Sequence, residues 1–396
     1  MISRFKVHNS QHNWEPVEKV MRDALYRIFP AAVLLVKRNG QTLFHHAYGY
    51  LDPEVKEQPT QLDTRFDLAS LTKLFTATAF LALVDAGRVE LDQPVAEVLP
   101  EFRGPRPIRP YADPLHPGRE IAVVSPTDET VDAGRVTFRH LLVHTSGLPA
   151  WNPFYRLGSP QAIIEAALRS DFSYPTGTRL LYSDVGFILL GEAMARLASR
   201  PLDAALRELV LEPLGLQATG FHCRSMASAL QNVAPTEYCA WRRRRLRGEA
   251  HDENAAALGG VASHAGLFGT AVDMAALGQL YLDGGKLGNV RLLRPETAAE
   301  AVREQAPLLG ERCGLGWMLR SEKGASCGRF LSLRSYGHTG FTGTSLWVDP
   351  EVGLVVVLLT NRVYYGRDPT GIKTFRPALH DAVYQSVVSS LHTGLV

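Results

Sequence analysis

The stretch "FDLASLTKLFTATAFLALVDAG" (residues 66–87) sets Ser70 and Lys73 three residues apart where the chain turns apolar. On a helix, positions i and i+3 share a face, so the Lys73 amine can reach Ser70 Oγ. The first-turn N–H groups of a helix lack intrahelical acceptors, and the dipole makes this end positive. Both features favour an anion forming near Ser70 and disfavour a charged Lys73. A serine is a weak nucleophile until such a neighbour takes its proton. The alternative is that Ser70 is simply an N-cap. The S-x-x-K pattern is loose, and it recurs at Ser3–Lys6 in a polar terminus with no element to hold it rigid. Gly87 stands where a helix begun at Ser70 would need a C′ residue.

Two further polar clusters sit at the heads or edges of regular elements. "LLYSDVGFILLGEAMARLA" (180–198) puts Tyr182, Ser183 and Asp184 before an apolar helical pattern. A tyrosine placed there can carry a proton. "YGHTGFTGTSLWVDP" (336–350) runs His338, Thr339 and Gly340 into a strand. Small residues at a strand edge let a substrate lie close to the backbone.

Around these clusters the pattern is that of one sheet built from both termini. Residues 15–28 carry Val17, Val20, Met21, Leu25 and Ile28 at helical spacing. "AAVLLVKRNGQTLFHHAYGY" (31–50) reads as two strands joined at Asn39-Gly40, a strong hairpin signal. Helical periods fill about 136–300, and strands return at "GLGWMLR", "TSLWVDP" and "GLVVVLLTN" before a closing helix near 373–391. The expected architecture is α/β of the α+β type: an antiparallel sheet flanked by helices, with a helical subdomain inserted. The 396 residues are taken as one domain. Its sheet part spans about 15–90 and 255–392, and its helical part about 91–254. Residues 103–135 are rich in Pro and Arg and weakly periodic. They read as a surface excursion, with a lid or a partner contact as the alternative.

Composition excludes several classes. The chain is 45% hydrophobic and 21% charged with a net charge of +2, so nothing drives it towards nucleic acid. Four cysteines, Cys223, Cys239, Cys313 and Cys327, are scattered, which fits neither a disulfide scaffold nor a zinc ribbon. No apolar run approaches the roughly 18 residues of a spanning helix. The N-terminus lacks an apolar signal region, which points to the cytoplasm unless a leader preceded this Met. Nucleotide-binding glycine motifs and G-x-S-x-G are absent.

Taken together, these stretches resemble the serine β-lactamase and penicillin-binding-protein group, in the class C-like branch that also holds esterases and D-amino-acid peptidases. "VTFRHLLVHTSGLP" (136–149) and "HDENAAALGGVASHAGLFGTAVDMAALG" (251–278) add to the likeness, which covers about Ala31 to Asn361. The resemblance implies Ser70 as acylated nucleophile, Lys73 as its partner and Tyr182 as acid/base. It implies an oxyanion hole from the backbone N–H groups of Ser70 and Phe341, with substrate contacts from Asp184, His338, Thr339 and Gly340. It implies no cofactor and no metal. The substrate it implies is a small acyl compound.

Two departures bear on substrate. Asp184 stands where the family usually has Asn, and a carboxylate beside Lys73 favours the ammonium. His338 stands where β-lactamases usually have Lys, and a neutral His grips a carboxylate less strongly. The expectation is therefore an esterase on small acyl esters. A D-Ala-type peptidase or β-lactamase is the alternative, and an inactive binding module is the rival of another class.

Other polar groups have plainer readings. Ser146 beside His144 fits a turn better than a second nucleophile. His140 and His144 are spaced i, i+4 but lack the Glu of H-E-x-x-H. His251 to Asn254 reads as structural, and Arg242 to Arg245 as a solvated loop with anion binding as the alternative.

Overall fold

Asn39 and Gly40 both take positive φ, 48° and 78°, as the tight turn between the strands Ala31–Arg38 and Gln41–Gly49 requires. This hairpin anchors a seven-stranded, wholly antiparallel sheet in a computed structural model that describes residues 6–8, 12–113, 116, 118–123, 130–221, 227–310 and 312–388. From edge to edge the order is Lys6–His8, Gln41–Gly49, Ala31–Arg38, Leu354–Thr360, Ser345–Asp349, Tyr336–Thr339 and Met318–Leu319. The two halves of the chain meet at the centre, where Val36 lies opposite Val356.

The central strands carry unbroken apolar runs, residues 31–36 and 354–359, because both faces are covered there. Val33, Leu35, Val355 and Val357 face one core, with Met274 and Leu277 of the helix Ala271–Leu282. Leu34, Val36, Val356 and Leu358 face the other, with Met21 of the helix Glu15–Ala24 and Leu379 and Val383 of the helix Thr370–Val388. Each such side chain, fully buried, contributes about 1.5–3 kcal/mol. The first core continues without a break into the helices Thr72–Asp85, Phe138–Leu142, Pro160–Leu168 and Asp184–Ala198. Residues 91–254 add no strand to the large sheet. Among the described residues no helix is long and apolar enough to cross a membrane.

The elements differ from expectation in four places. The sheet starts before residue 15, because Lys6–His8 pairs with Phe44–His46. The first helix stops at Ala24 rather than near 28, where Leu25 turns extended. "GLGWMLR" is strand only at Met318–Leu319, since the N–H groups of Leu315 and Gly316 go instead to Ala301 and Leu142. The 103–135 segment carries regular pairing: Pro105–Pro107 pairs with Thr130–Asp132, and Tyr111–Ala112 with Glu120–Ile121. Cys239, Cys313 and Cys327 are buried thiols; Cys223 and Ser3 lie outside the described residues.

Candidate active site

Ser70 sits in a tight turn, Ala69–Leu71, that leads into the helix Thr72–Asp85. Its hydroxyl caps nothing; neither element carries a side-chain cap. The helix ends as expected: the Gly87 and Arg88 N–H groups bond to Val84 and Leu83. Ala69 takes φ +47°, a left-handed conformation that costs a non-glycine residue about 1–3 kcal/mol. Asp67 holds that turn. Its carboxylate accepts the Ala69 N–H at 2.8 Å and the His251 N–H at 2.7 Å.

Lys73 is wholly buried and its Nζ lies 3.2 Å from Ser70 Oγ. It also donates to the His264 carbonyl at 2.9 Å and lies 2.6 Å from Asp184 Oδ1. The Tyr182 ring sits over it, 4.8 Å away. Burial alone would lower the Lys73 pKa, but Asp184 and Tyr182 more than offset this and hold it above the usual lysine value. Burial raises the Tyr182 phenol, and Lys73 offsets only part of that. At neutral pH the resting site therefore keeps an ammonium on Lys73 and a proton on Tyr182.

Asp184 begins the helix Asp184–Ala198, whose N-cap Ser183 accepts the Gly186 N–H at 3.0 Å. His144 packs against the Tyr182 ring at 4.6 Å, and its Nδ1 accepts the Ser183 N–H at 3.1 Å. His140 serves elsewhere, accepting the Thr137 N–H in a capping box. Ser146 Oγ accepts the Leu148 N–H at 3.3 Å, as the turn reading expects.

His338 and Thr339 end the strand Tyr336–Thr339 rather than precede one. His338 Nδ1 lies 2.9 Å from the Thr339 carbonyl, while its Nε2 is buried without a partner among the described residues. Burial pushes its pKa down to about 3, so the ring is neutral. Gly340 lines the cleft, and its missing side chain also serves packing. A Cβ there would meet Thr344 Oγ1 at 2.1 Å and the Leu68 carbonyl at 2.7 Å, so the bare backbone serves packing against the nucleophile turn. The N–H groups of Ser70 and Phe341 have no acceptor among the described residues.

Ser70, Tyr182 and Phe341 are shared by two adjoining cavities. One, of about 390 Å³, is lined by Asp184, Trp151, Tyr155 and His251, and by Ala112, Asp113 and Glu120 of the 103–135 segment. That segment is thus a wall of the cleft. The other, of about 380 Å³, is lined by His338, Thr339 and Gly340 and by Arg312, Arg362, Lys373 and Arg376, with no carboxylate among the described residues.

Several participants carried no individual signal in the sequence. Asp252 caps the helix Glu253–Ala257 and holds His264 Nε2 at 2.9 Å; the His264 carbonyl in turn receives Lys73. The His251–Asn254 loop is thus structural and close to the cleft. Arg242 donates to the Ala250 and His251 carbonyls at 2.7 Å, and Arg245 to those of Thr236 and Tyr364 at 3.0 and 2.9 Å. Arg242 and Arg245 thus brace the protein, while Arg243 and Arg244 are exposed, as the solvated reading expects.

A serine on a tight turn, a lysine on its face, a tyrosine ring over the lysine and two open N–H groups at one cleft form the site's frame. Residues 17–377 match the family described as Beta-lactamase. The chain is 32% identical over 363 residues to an N-acetylmuramyl-L-alanine amidase of Bacillus subtilis (strain 168), covering 84% of this chain and 77% of that one. It is 30% identical over 371 residues to a putative D-alanyl-D-alanine carboxypeptidase of Escherichia coli (strain K12), covering 84% and 79%. Among solved structures, EstCE1, a hydrolase with promiscuous acyltransferase activity, superposes with a TM-score of 0.69 at 25% identity, covering 93% of this chain and 98% of that one. The chain belongs to the beta-lactamase family of serine hydrolases.

Proposed function

We propose that this hydrolase works through an acyl-enzyme on Ser70, with small carboxylic esters as its leading substrates. The observation that carries the reading is Ser70 Oγ, held on a strained turn 3.2 Å from Lys73 Nζ where two cavities join. Ser70 Oγ attacks the acyl carbon, and its proton passes to the Tyr182–Lys73 pair in the minor form of that pair that has lost one proton. The oxyanion takes the N–H groups of Ser70 and Phe341. Loss of one such donor typically lowers kcat by about 10²–10³-fold. Tyr182 returns a proton to the leaving oxygen, and the C–O bond breaks to leave acyl-Ser70. Water repeats the sequence, releases the acid and restores the hydroxyl.

Ester specificity is supported by His338, which is neutral where an ammonium would grip a substrate carboxylate. A second reading has its own observation. Among the described residues, four cations and no carboxylate line the cavity beside His338. That wall favours a substrate with a carboxylate on this side, as in D-alanyl peptides, and the carboxypeptidase and amidase names of the relatives agree with it.

One panel tests both readings: p-nitrophenyl esters, nitrocefin and D-Ala-D-Ala peptides on one preparation, with a fluorophosphonate to label the nucleophile. The expected label falls on Ser70, and Ser70→Ala abolishes turnover while Ser3→Ala does not. An unlabelled Ser70 in folded protein would leave the binding-module reading standing.

A further inference from the structure

Arg376, on the helix Thr370–Val388, is a buried guanidinium whose partners are carbonyl groups. Its Nη2 donates to the Gly340 carbonyl at 2.9 Å and to the Thr344 carbonyl at 2.7 Å. No carboxylate pairs with it among the described residues. Burial pushes its pKa down to about 9, which leaves it a cation at neutral pH. A buried charge held without a counter-ion is costly, so its position calls for a reason.

The reason lies in the peptide it grips. The Gly340 carbonyl and the Phe341 N–H are two ends of one peptide group. No described peptide bond is cis. In a planar trans peptide the C=O and N–H point in opposite directions. Arg376 on the carbonyl therefore turns the Phe341 N–H away from itself. That N–H has no acceptor among the described residues, and Phe341 lines both cavities with Ser70. The next carbonyl, that of Phe341, is gripped in turn by Arg362 at 3.0 and 2.8 Å. Two guanidinium groups thus fix consecutive peptides behind the cleft.

We propose that Arg376 is a positioning residue for acylation: it orients the Gly340–Phe341 peptide and, by polarising its carbonyl, strengthens the Phe341 N–H as an oxyanion donor. Hydrogen bonds in series polarise one another, and the effect is largest where water is excluded. The inference rests on the acyl-enzyme reading of Ser70. It adds a fixed positive charge, one peptide away, aimed where negative charge develops in the transition state.

The test compares wild type with Arg376→Gln and Arg376→Lys, each checked for folding by near-UV circular dichroism. On p-nitrophenyl acetate, Arg376→Gln should lower kcat by about 10- to 100-fold with KM little changed, less than removal of a donor outright. Affinity for phenylboronic acid, which forms a tetrahedral adduct on serine, should fall in parallel with kcat/KM. Arg376→Lys, which keeps the charge but loses the two-carbonyl grip, should recover part of both. A folded Arg376→Gln with wild-type kcat and boronate affinity would overturn the proposal. If neither variant folds, ¹⁵N spectra of the wild type decide. Boronate binding should move the Phe341 amide and the Arg376 guanidinium signals together, and a motionless Arg376 signal would refute the coupling. Ser70→Ala separates the two levels. If it retained turnover, the acyl-enzyme reading itself would fail whatever Arg376 does.

Discussion

Lys73 Nζ lies 2.6 Å from Asp184 Oδ1, with the lysine side chain wholly buried. The carboxylate stands where an asparagine would hydrogen-bond the amine without opposing its deprotonation. The ion pair makes the free amine, a form able to take the Ser70 proton, a minor species at neutral pH.

Asp184→Asn tests this directly. Removing the carboxylate lowers the Lys73 pKa, since Asp184 is the leading influence that raises it against burial. It also lowers Tyr182, which Asp184 raises. Both changes enlarge the deprotonated fraction at a given pH, so the alkaline rise of kcat/KM should move to lower pH. Profiles on one activated ester that superimpose for the two forms would mean that Asp184 does not control the proton transfer.

The 103–135 segment should act on substrate size. Ala112, Asp113 and Glu120 line the cavity beside Ser70, while the Pro105–Pro107 and Thr130–Asp132 ladder lies outside its lining. Replacing residues 110–122 with a short Gly-Ser linker should alter KM for bulky acyl esters while small esters and the melting temperature change little. Loop lengthening or shortening costs little closure entropy. Equal kinetics across ester sizes would reduce the segment to a plain surface loop.

Acid should destabilise the fold through its buried histidines. Burial, reinforced by Arg376, pushes His380 down to about 3, and both its ring nitrogens lack partners. The unfolded chain titrates near the usual histidine value, so between that value and about 3 it binds a proton that the native state refuses. Stability is thus full above roughly pH 6.5 and falls as pH drops, by up to about 1.4 kcal/mol per pH unit for each such histidine. His380→Leu should flatten the slope of unfolding free energy between about pH 4 and 6. Urea titrations at several pH values check it, and an unchanged slope would mean that His380 is protonated when native.

The sheet and the heads of the motifs were legible in the sequence because they are local. Asn39-Gly40 names its own turn, and the uninterrupted apolar runs "AAVLLV" and "LVVVLL" announce strands covered on both faces. Ser70 and Lys73 meet because one helical turn separates them, and any helix there would bring them together. What surrounds that pair was decided by tertiary structure. Lys73 meets the His264 carbonyl across 191 residues, and Arg376 meets the Gly340 carbonyl across 36. Backbone acceptors are the same at every residue, so no residue type or spacing marks such a contact in advance. The same holds for Gly340, whose missing side chain leaves room for Leu68 and Thr344, a packing role that no residue spacing marks. Periodicity specifies which face a residue shows, but only the packed fold specifies what that face meets.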